Sequence, residues 1–329
     1  MATKQKHAAV KPAGRSPKTP PAGLVRAVEL WEPRGDRLTI TAAIHRDTPK
    51  LAAASETSFF KSGEGLPGRV FESQTPVVFA DLEAGEFVRS RAAAADGLKA
   101  GIGVPVLRGG EVKSVVVLMF GGGESAVGAV ESWVPVPHRG EVTLGTSYYA
   151  GLPRFEKISR HVQFPRGSGL PGGVWEAMSP TLLTGLSRSK DFIRAAGAGA
   201  EGISSAVAWP VSDYADRLTS VCVLLSAGRS PLARVMQLWT PHETHGLVLT
   251  RTDARTGHAL REVCAAAPAV MGEGVVGRAW QTNTPVLCGN LPAEDDAASK
   301  AAVELGLTQA VALPVHVGET LRGVIALWN

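Results

Sequence analysis

Cysteine is scarce in this chain, and the few thiols follow no recognisable pattern. Cys222, Cys264 and Cys288 are the three cysteines among 329 residues, and no two of them form a CxxC pair. An odd number without that spacing argues against a disulfide scaffold and a zinc ribbon. The cysteine content therefore favours a reducing, cytoplasmic compartment.

Long apolar runs and a strong charge bias are also lacking. No apolar run approaches the roughly 18–20 residues that a membrane span needs, and no apolar signal segment follows the basic N-terminus. The net charge is +4, but residues 1–23 carry five basic residues and no acid. We therefore expect a disordered basic tail before a soluble folded region, with neither a membrane nor nucleic acid as a favoured partner.

What the chain does contain is a repeat, marked by four kinds of landmark. A strand ends at a tryptophan, a glycine loop follows, a proline opens a short apolar run, and a second proline lies within a late strand. The three copies are Trp31, Trp133 and Trp239; Gly65, Gly169 and Gly274; Pro76, Pro180 and Pro285; and Pro105, Pro210 and Pro314. The glycines are 104 and 105 residues apart, and the late prolines 105 and 104. One period shared by four landmarks indicates three tandem copies of one unit.

The pattern inside each copy predicts an α+β fold. We expect three units, residues 24–124, 125–229 and 230–329, each a mostly antiparallel sheet of five or six strands with helices inserted in the middle on one face. In unit one a third strand leads into the glycine loop, and a short helix runs from Leu66 to about Gln74, before Pro76. A strand over 77–80 follows, and strands over 102–107 and 115–120 close the unit. In unit three, the acidic residues 294–296 predict the first turn of a longer helix.

The glycine loop and the strands after it resemble the GAF domain family. In unit one the matching strings are GEGLPGRVFESQTPVVFADL at 63–82 and GLKAGIGVPVLRGGEVKSVVVLMF at 97–120, and units two and three repeat them over 167–225 and 272–328. The resemblance implies a sensory or regulatory protein with a ligand pocket between the sheet and the inserted segment. The long terminal helices that usually cover the second face of a GAF sheet and mediate dimerisation have no counterpart here.

That difference leaves one face of each sheet in need of a partner. The strand over 115–120 is apolar at every position, so both of its faces should be buried. Leaving several such side chains wet would cost several kcal/mol at about 25 cal/mol per Å². We therefore expect the units to pack on one another or on a second subunit, as in a homodimer.

The resemblance places the candidate ligand site between the sheet and the inserted segment. The residues expected to line it are Phe79, Asp81, Phe87, Val88 and Ile102 in unit one, and Leu287, Asn290 and Val303 in unit three. Neither a catalytic residue, a metal ligand nor a cofactor is predicted. The expected partners are an unidentified small molecule and an unidentified protein that provides the output.

Other interpretations of the motifs are weaker. The G-x-G-x-x-G loops lack the βαβ crossover of a dinucleotide site, because only eight residues separate Gly68 from Pro76. His242 and His245 are three apart in a predicted turn, which does not fit a helical zinc site. A relative of free methionine sulfoxide reductases would need a cysteine where Val276 stands, although Cys264 falls in a predicted strand of suitable position. The alternatives that stay open are a protein scaffold with collapsed pockets and a redox enzyme in unit three.

Overall fold

The structure, a computed structural model, describes residues 24–122, 126–228, 231–253 and 258–329. The basic tail over 1–23 and the unit boundaries at 124/125 and 229/230, all predicted from the sequence, lie outside these residues. Within the described residues, no helix is long and apolar enough to cross a membrane.

Three sheets follow one another along the chain. Unit one contains β1 (Val25–Arg34), β2 (Arg37–His45), α1 (Pro49–Glu56), β3 (Phe59–Lys61), α2 (Gly65–Ser73), β4 (Val77–Phe79), α3 (Ser90–Ala95), β5 (Leu98–Arg108) and β6 (Glu111–Gly121). Unit two contains β7 (Gly128–Pro135), β8 (Glu141–Ala150), α4 (Pro153–Ser159), β9 (Gln163–Pro165), α5 (Gly169–Ala177), β10 (Thr181–Thr184), α6 (Ala195–Glu201), β11 (Ile203–Ser212) and β12 (Leu218–Ala227). Unit three contains β13 (Val235–His242), β14 (Gly246–Thr252), α7 (His258–Ala266), α8 (Gly274–Thr282), β15 (Val286–Cys288), α9 (Ala297–Glu304), β16 (Ala310–Val317) and β17 (Thr320–Trp328).

The three sheets share one strand order. Unit one has the order β3-β2-β1-β6-β5-β4, and unit two has the equivalent order β9-β8-β7-β12-β11-β10. Unit three has β14-β13-β17-β16-β15, and a single bridge between Leu247 and Ala269 replaces the missing edge strand. Neighbouring strands are antiparallel throughout these sheets. The predicted α+β fold with three tandem units is confirmed.

The sequence patterns located some elements well and missed others. Helix α2 agrees with the prediction to within one residue at each end. The segment before the glycine loop, however, begins with helices α1, α4 and α7, so the strand predicted for Cys264 is wrong. Pro49 and Pro153 mark the first turns of α1 and α4, where proline is well tolerated. In α7, the buried Leu260 and Cys264 are four residues apart and share one helical face.

The acidic stretch of unit three also differs from its prediction. Asp296 is the N-cap of α9 and accepts a hydrogen bond from the Ser299 backbone N, so it precedes the first turn. Glu294 lies further back and accepts hydrogen bonds from both Nη atoms of Arg278, each at 2.7 Å. The helix itself begins at Ala297 and ends before Gly306, as the C-cap pattern indicated.

The glycine loops allow a tight turn of the backbone before the short helix. In each loop the first glycine donates its backbone N–H to the carbonyl of the third, at 2.9, 2.8 and 2.9 Å in units one to three. A Cβ on the third glycine would come within 2.1 Å of the Lys61 carbonyl oxygen in unit one, and equally close contacts occur in the other units. Only glycine lets the short helix approach the preceding strand so closely.

Each sheet buries both of its faces. Along β6, Val115, Val117 and Met119 face the inserted helices, whereas Val116, Leu118 and Phe120 face away from them. The same alternation occurs in β12 and β17. The second faces of the three sheets meet in one cluster, which we call the common core; its strand residues include Val116, Leu118, Cys222, Leu224, Ile325 and Leu327.

The common core shows what covers the second face of each sheet. In each sheet, the face that long helices would cover packs instead against the two other sheets of the same chain. Polar contacts join the units at the periphery; for example, Ser205 Oγ donates to Asp253 Oδ2 at 2.6 Å. Three units that share one core form one folded body, so the stability of each depends on the others.

Candidate functional site

The site residues predicted for unit one do not surround one space. Phe79 and Phe87 are buried between the sheet and the inserted helices, with their rings edge to face at 6.4 Å. Asp81 is exposed and accepts a hydrogen bond from the Glu83 backbone N, and Val88 is also exposed. Ile102 lies on the other face of the sheet, in the common core.

The residues predicted for unit three are likewise dispersed. Leu287 packs at the edge of the common core, Val303 packs among the helices, and Asn290 is exposed. None of the three lines the cavity of unit three, whose walls include residues of β13, α7, α8 and the start of α9.

The interior of unit one is filled by a buried ion pair. Arg89 and Glu29 form a bidentate pair at 2.7 and 2.9 Å, and their side chains are 3% and 0% exposed. Glu29 also accepts hydrogen bonds from Trp31 Nε1 at 3.0 Å and from Ser55 Oγ at 2.6 Å. The guanidinium carbon lies 5.2 Å from the Trp31 ring centroid and 5.5 Å from that of Phe60. Hydrogen bonds and ring faces thus surround the arginine head.

Unit two repeats this arrangement at the equivalent positions. Arg194 Nη2 donates to Glu131 Oε2 at 2.8 Å, and the same oxygen accepts from Trp133 Nε1 at 2.8 Å. The Arg194 head also contacts Ser159 Oγ and lies 4.6 Å from the Phe155 ring centroid. Removing one partner of such a pair costs about 3–5 kcal/mol because a buried charge is left unpaired.

Unit three has replaced the charged residues and the ring that packs on the tryptophan. Counting back from Gly97, Gly202 and Gly306 by eight residues gives Arg89, Arg194 and Ala298. The same offsets from the repeat landmarks give Gln237 for the glutamate, Cys264 for the serine and Ala269 for the phenylalanine. Because the change of glutamate to glutamine accompanies the loss of arginine, Gln237 carries no charge that would need a cationic partner.

An open cavity of about 180 Å³ lies where units one and two are filled. Trp239, Trp328 and Cys264 line it together with aliphatic side chains of α8, and Asp296 lies at its edge. Both indole N–H groups donate to Gln237 Oε1, at 3.1 and 3.0 Å, which fixes the two rings. The Gln237 side chain is fully buried, and within the described part of the chain its Nε2 has no hydrogen-bond partner.

The Cys264 thiol beside this cavity is protonated at neutral pH. Burial raises its pKa to about 11, and the nearby Asp296 acts in the same direction. A nucleophilic cysteine needs the opposite shift, which a nearby cation or a helix N-terminus would provide. The environment of Cys264 therefore suits a packing side chain better than a reactive thiolate.

A second cavity lies where the three units meet, at the end of the common core. It is lined by equivalent segments of β5, β11 and β16 around Pro105, Pro210 and Pro314, and its volume is about 30 Å³. Since one water occupies about 10–15 Å³ on this measure, the space holds no more than a few waters. It is a junction of three sheets and too small for an organic ligand.

The histidine pair predicted to be solvated is exposed. His242 is the last residue of β13, and His245 follows in the turn after it. The two rings are stacked, with their centroids 4.8 Å apart. Within the described ranges, no group of three or more His, Cys, Asp or Glu residues could hold a metal ion.

Comparison with known proteins supports the assignment of unit three. Residues 232–329 match the model of the family described as GAF domain. No curated protein matches the chain.

Similar solved structures include the GAF domain of nlh2 from A. aeolicus in an inactive state, with 23% identity over 30% of this chain and 60% of that one and a TM-score of 0.26. Another is a type II free methionine-R-sulfoxide reductase from Thermoplasma acidophilum, with 16% identity, coverage of 29% and 61%, and a TM-score of 0.24. A third is the GAF domain of a phosphoenolpyruvate-protein phosphotransferase from Coxiella burnetii, with 19% identity, coverage of 33% and 62%, and a TM-score of 0.27. The chain spans less than two thirds of the length of each. Residues 232–329 therefore match the GAF domain family, and units one and two share the strand order of this third unit.

Proposed function

We propose that this chain is a regulatory protein whose third unit binds a small molecule in the cavity beside Trp239. The family is generally sensory or regulatory, which agrees with this proposal. The observation that carries it is the internal comparison: a 180 Å³ cavity is present in unit three, where Arg89 and Arg194 fill the other two units. A cavity with apolar walls and few polar groups is the usual form of a ligand site.

Units one and two would then act as structural partners of unit three. In these two units the place of the unit-three cavity is occupied by Arg89 and Arg194, and their sheets form two of the three walls of the common core. A change in unit three on ligand binding would reach the rest of the chain through that core. We propose that a protein partner reads out this change.

A catalytic role is the less favoured alternative. The methionine sulfoxide reductase activity belongs to one of the similar proteins named above, the one from Thermoplasma acidophilum, and such redox chemistry requires a thiolate. With a pKa of about 11, roughly one Cys264 side chain in ten thousand would be ionised at neutral pH. We therefore expect Cys264→Ser to retain ligand binding, whereas loss of a measured redox activity in this variant would favour the enzyme.

The test is a thermal-shift screen of small organic molecules against the wild type and Ala269→Phe. Units one and two carry Phe60 and Phe164 at this place, edge to face against their tryptophans at 4.9 and 4.7 Å. A phenyl ring at 269 should therefore pack against Trp239 and fill the cavity. Ligands that raise the melting temperature of the wild type should have no effect on this variant.

Ala265→Phe is the matched control, because Ala265 is exposed on the same helix-bearing side of unit three and does not line the cavity. It should respond to ligands as the wild type does. If no compound shifts the wild type more than Ala269→Phe, the binding proposal is wrong and the scaffold hypothesis is favoured.

A further inference from the structure

We infer that the unit-three cavity accepts an organic cation, a small aromatic amine, and this inference rests on the function proposed above. In units one and two the same place already holds a cation. The guanidinium carbon of Arg89 lies 5.2 Å from the Trp31 ring centroid, and that of Arg194 lies 5.1 Å from Trp133. Unit three keeps the tryptophan but has Ala298 in place of the arginine. Indole is the aromatic ring that attracts cations most strongly.

The charged side chains around the cavity are acidic. Among the described residues that line it, Glu273 and Asp296 carry charge and none is basic. Asp296 Oδ1 accepts from the Ser299 backbone N at 3.0 Å, whereas its buried Oδ2 has no hydrogen-bond partner among the described residues. The nearby Arg278 donates both Nη groups to Glu294. A carboxylate oxygen buried without a partner is unfavourable, and a ligand ammonium group would satisfy it.

The position of the negative charge indicates the orientation of the ligand. In units one and two, the carboxylate of Glu29 or Glu131 lies on the strand side, hydrogen-bonded to the tryptophan. In unit three, Gln237 makes this side neutral, and Asp296 brings the carboxylate to the helix side, where the other units have Phe87 and Phe192. An ammonium group directed at Asp296 would place an apolar body against Trp239 and Trp328.

The cavity volume limits the ligand to a single ring with a short arm. An apolar cavity of about 150 Å³ holds a benzene molecule. The 180 Å³ available here is slightly larger, and Asp296 is among the residues that line it. An arylalkylamine of the size of 2-phenylethylamine fits both the volume and the charge.

The experiment compares three probes of nearly equal shape by calorimetric titration: 2-phenylethylamine, 2-phenylethanol and phenylacetate. They differ in charge at the end of the arm. We expect the amine to bind the wild type about tenfold or more tightly than the alcohol. The reason is that a cation removed from water interacts favourably with both the indole ring of Trp239 and the carboxylate of Asp296. Phenylacetate should bind most weakly, because the cavity edge is acidic.

Asp296→Asn tests the carboxylate, because asparagine caps a helix as well as aspartate does and removes the charge alone. In this variant the amine should lose its advantage over the alcohol. Asp295→Asn is the matched control, since the Asp295 side chain is 99% exposed and pairs with Lys300 outside the cavity. It should keep the wild-type preference.

Two results would overturn the inference. If the alcohol or phenylacetate binds as tightly as the amine and Ala269→Phe abolishes this binding, the cavity is a ligand site but not one for cations. If Asp296→Asn binds the amine as tightly as the wild type does, the carboxylate does not recognise the ligand. The proposed function is tested separately by the thermal-shift screen. If that screen finds no compound that stabilises the wild type more than Ala269→Phe, the proposed function is wrong as well.

Discussion

The buried ion pair of unit two allows a quantitative test of how strongly Arg194 and Glu131 depend on each other for stability. Replacing Arg194 by Met removes the cation and leaves Glu131, which is 0% exposed, without its charged partner. We expect a loss of about 3–5 kcal/mol in the free energy of unfolding. The double variant Glu131→Gln/Arg194→Met should recover a large part of that loss, because it reproduces the neutral glutamine found at Gln237 in unit three. The measurement is urea unfolding followed by tryptophan fluorescence, with hydrogen exchange in β7 and β12 as a local readout.

Glutamine at 131 can still accept the hydrogen bond that Trp133 Nε1 now donates to the glutamate, so the double variant does not orphan the indole. The surface control is Arg217→Met, which breaks an exposed pair with Asp213 and should not change the unfolding midpoint measurably. The reasoning is refuted if Arg194→Met costs less than about 1 kcal/mol, or if the double variant is no more stable than the single one.

Three further predictions follow from local features. Gly172→Ala should destabilise strongly, since its Cβ would lie 2.1 Å from the Pro165 carbonyl oxygen, whereas Gly173→Ala, with open space around the Cβ, should be neutral or slightly stabilising in the same urea assay. Burial lowers the pKa of His316 below 6.5, so the unfolded chain takes up its proton first and stability should fall as the pH drops below 6.5. His316→Gln should make the unfolding midpoint less dependent on pH in that range, and an unchanged slope would contradict this. Cys264 should react slowly with iodoacetamide at neutral pH in the native protein and faster in urea, as measured by peptide mass spectrometry; fast native labelling would show that the thiol is not buried as described.

The sequence predicted the repeated fold well because its signals are local. Glycines with positive φ angles, helix-ending prolines and the apolar strand over 115–120 report on the backbone around them. Helix α1 was missed because its sequence, PKLAAASE, has no strong amphipathic pattern and lies between two strands. For α7, two apolar residues four apart, Leu260 and Cys264, indicate a helix, whereas the sequence-based prediction for Cys264 is a strand.

The ligand site predicted from the sequence stays a prediction, and the cavity of unit three lies at a different place. The residues chosen around Asp81 and Asn290 follow the usual place of a GAF pocket, whereas the cavity depends on what fills the interior of each unit. A comparison of the repeats position by position shows arginine, arginine and alanine eight residues before Gly97, Gly202 and Gly306. That signal was available in the sequence, but its meaning required the knowledge that the arginine side chain points inward and pairs with a glutamate sixty residues away.

The sequence by itself determined that one unit occurs three times, that each unit mixes an antiparallel sheet with inserted helices, and that both faces of the late strand are buried. These properties depend on the periodicity of apolar residues and on backbone preference, and both are determined by residues that are close together in the sequence. Only the tertiary structure decided that the sheets cover one another in a common core, and that the position of the interior arginines Arg89 and Arg194 is taken by Ala298 in unit three. Both outcomes depend on contacts between residues far apart in the chain, where burial decides which charges must be paired and which space stays open.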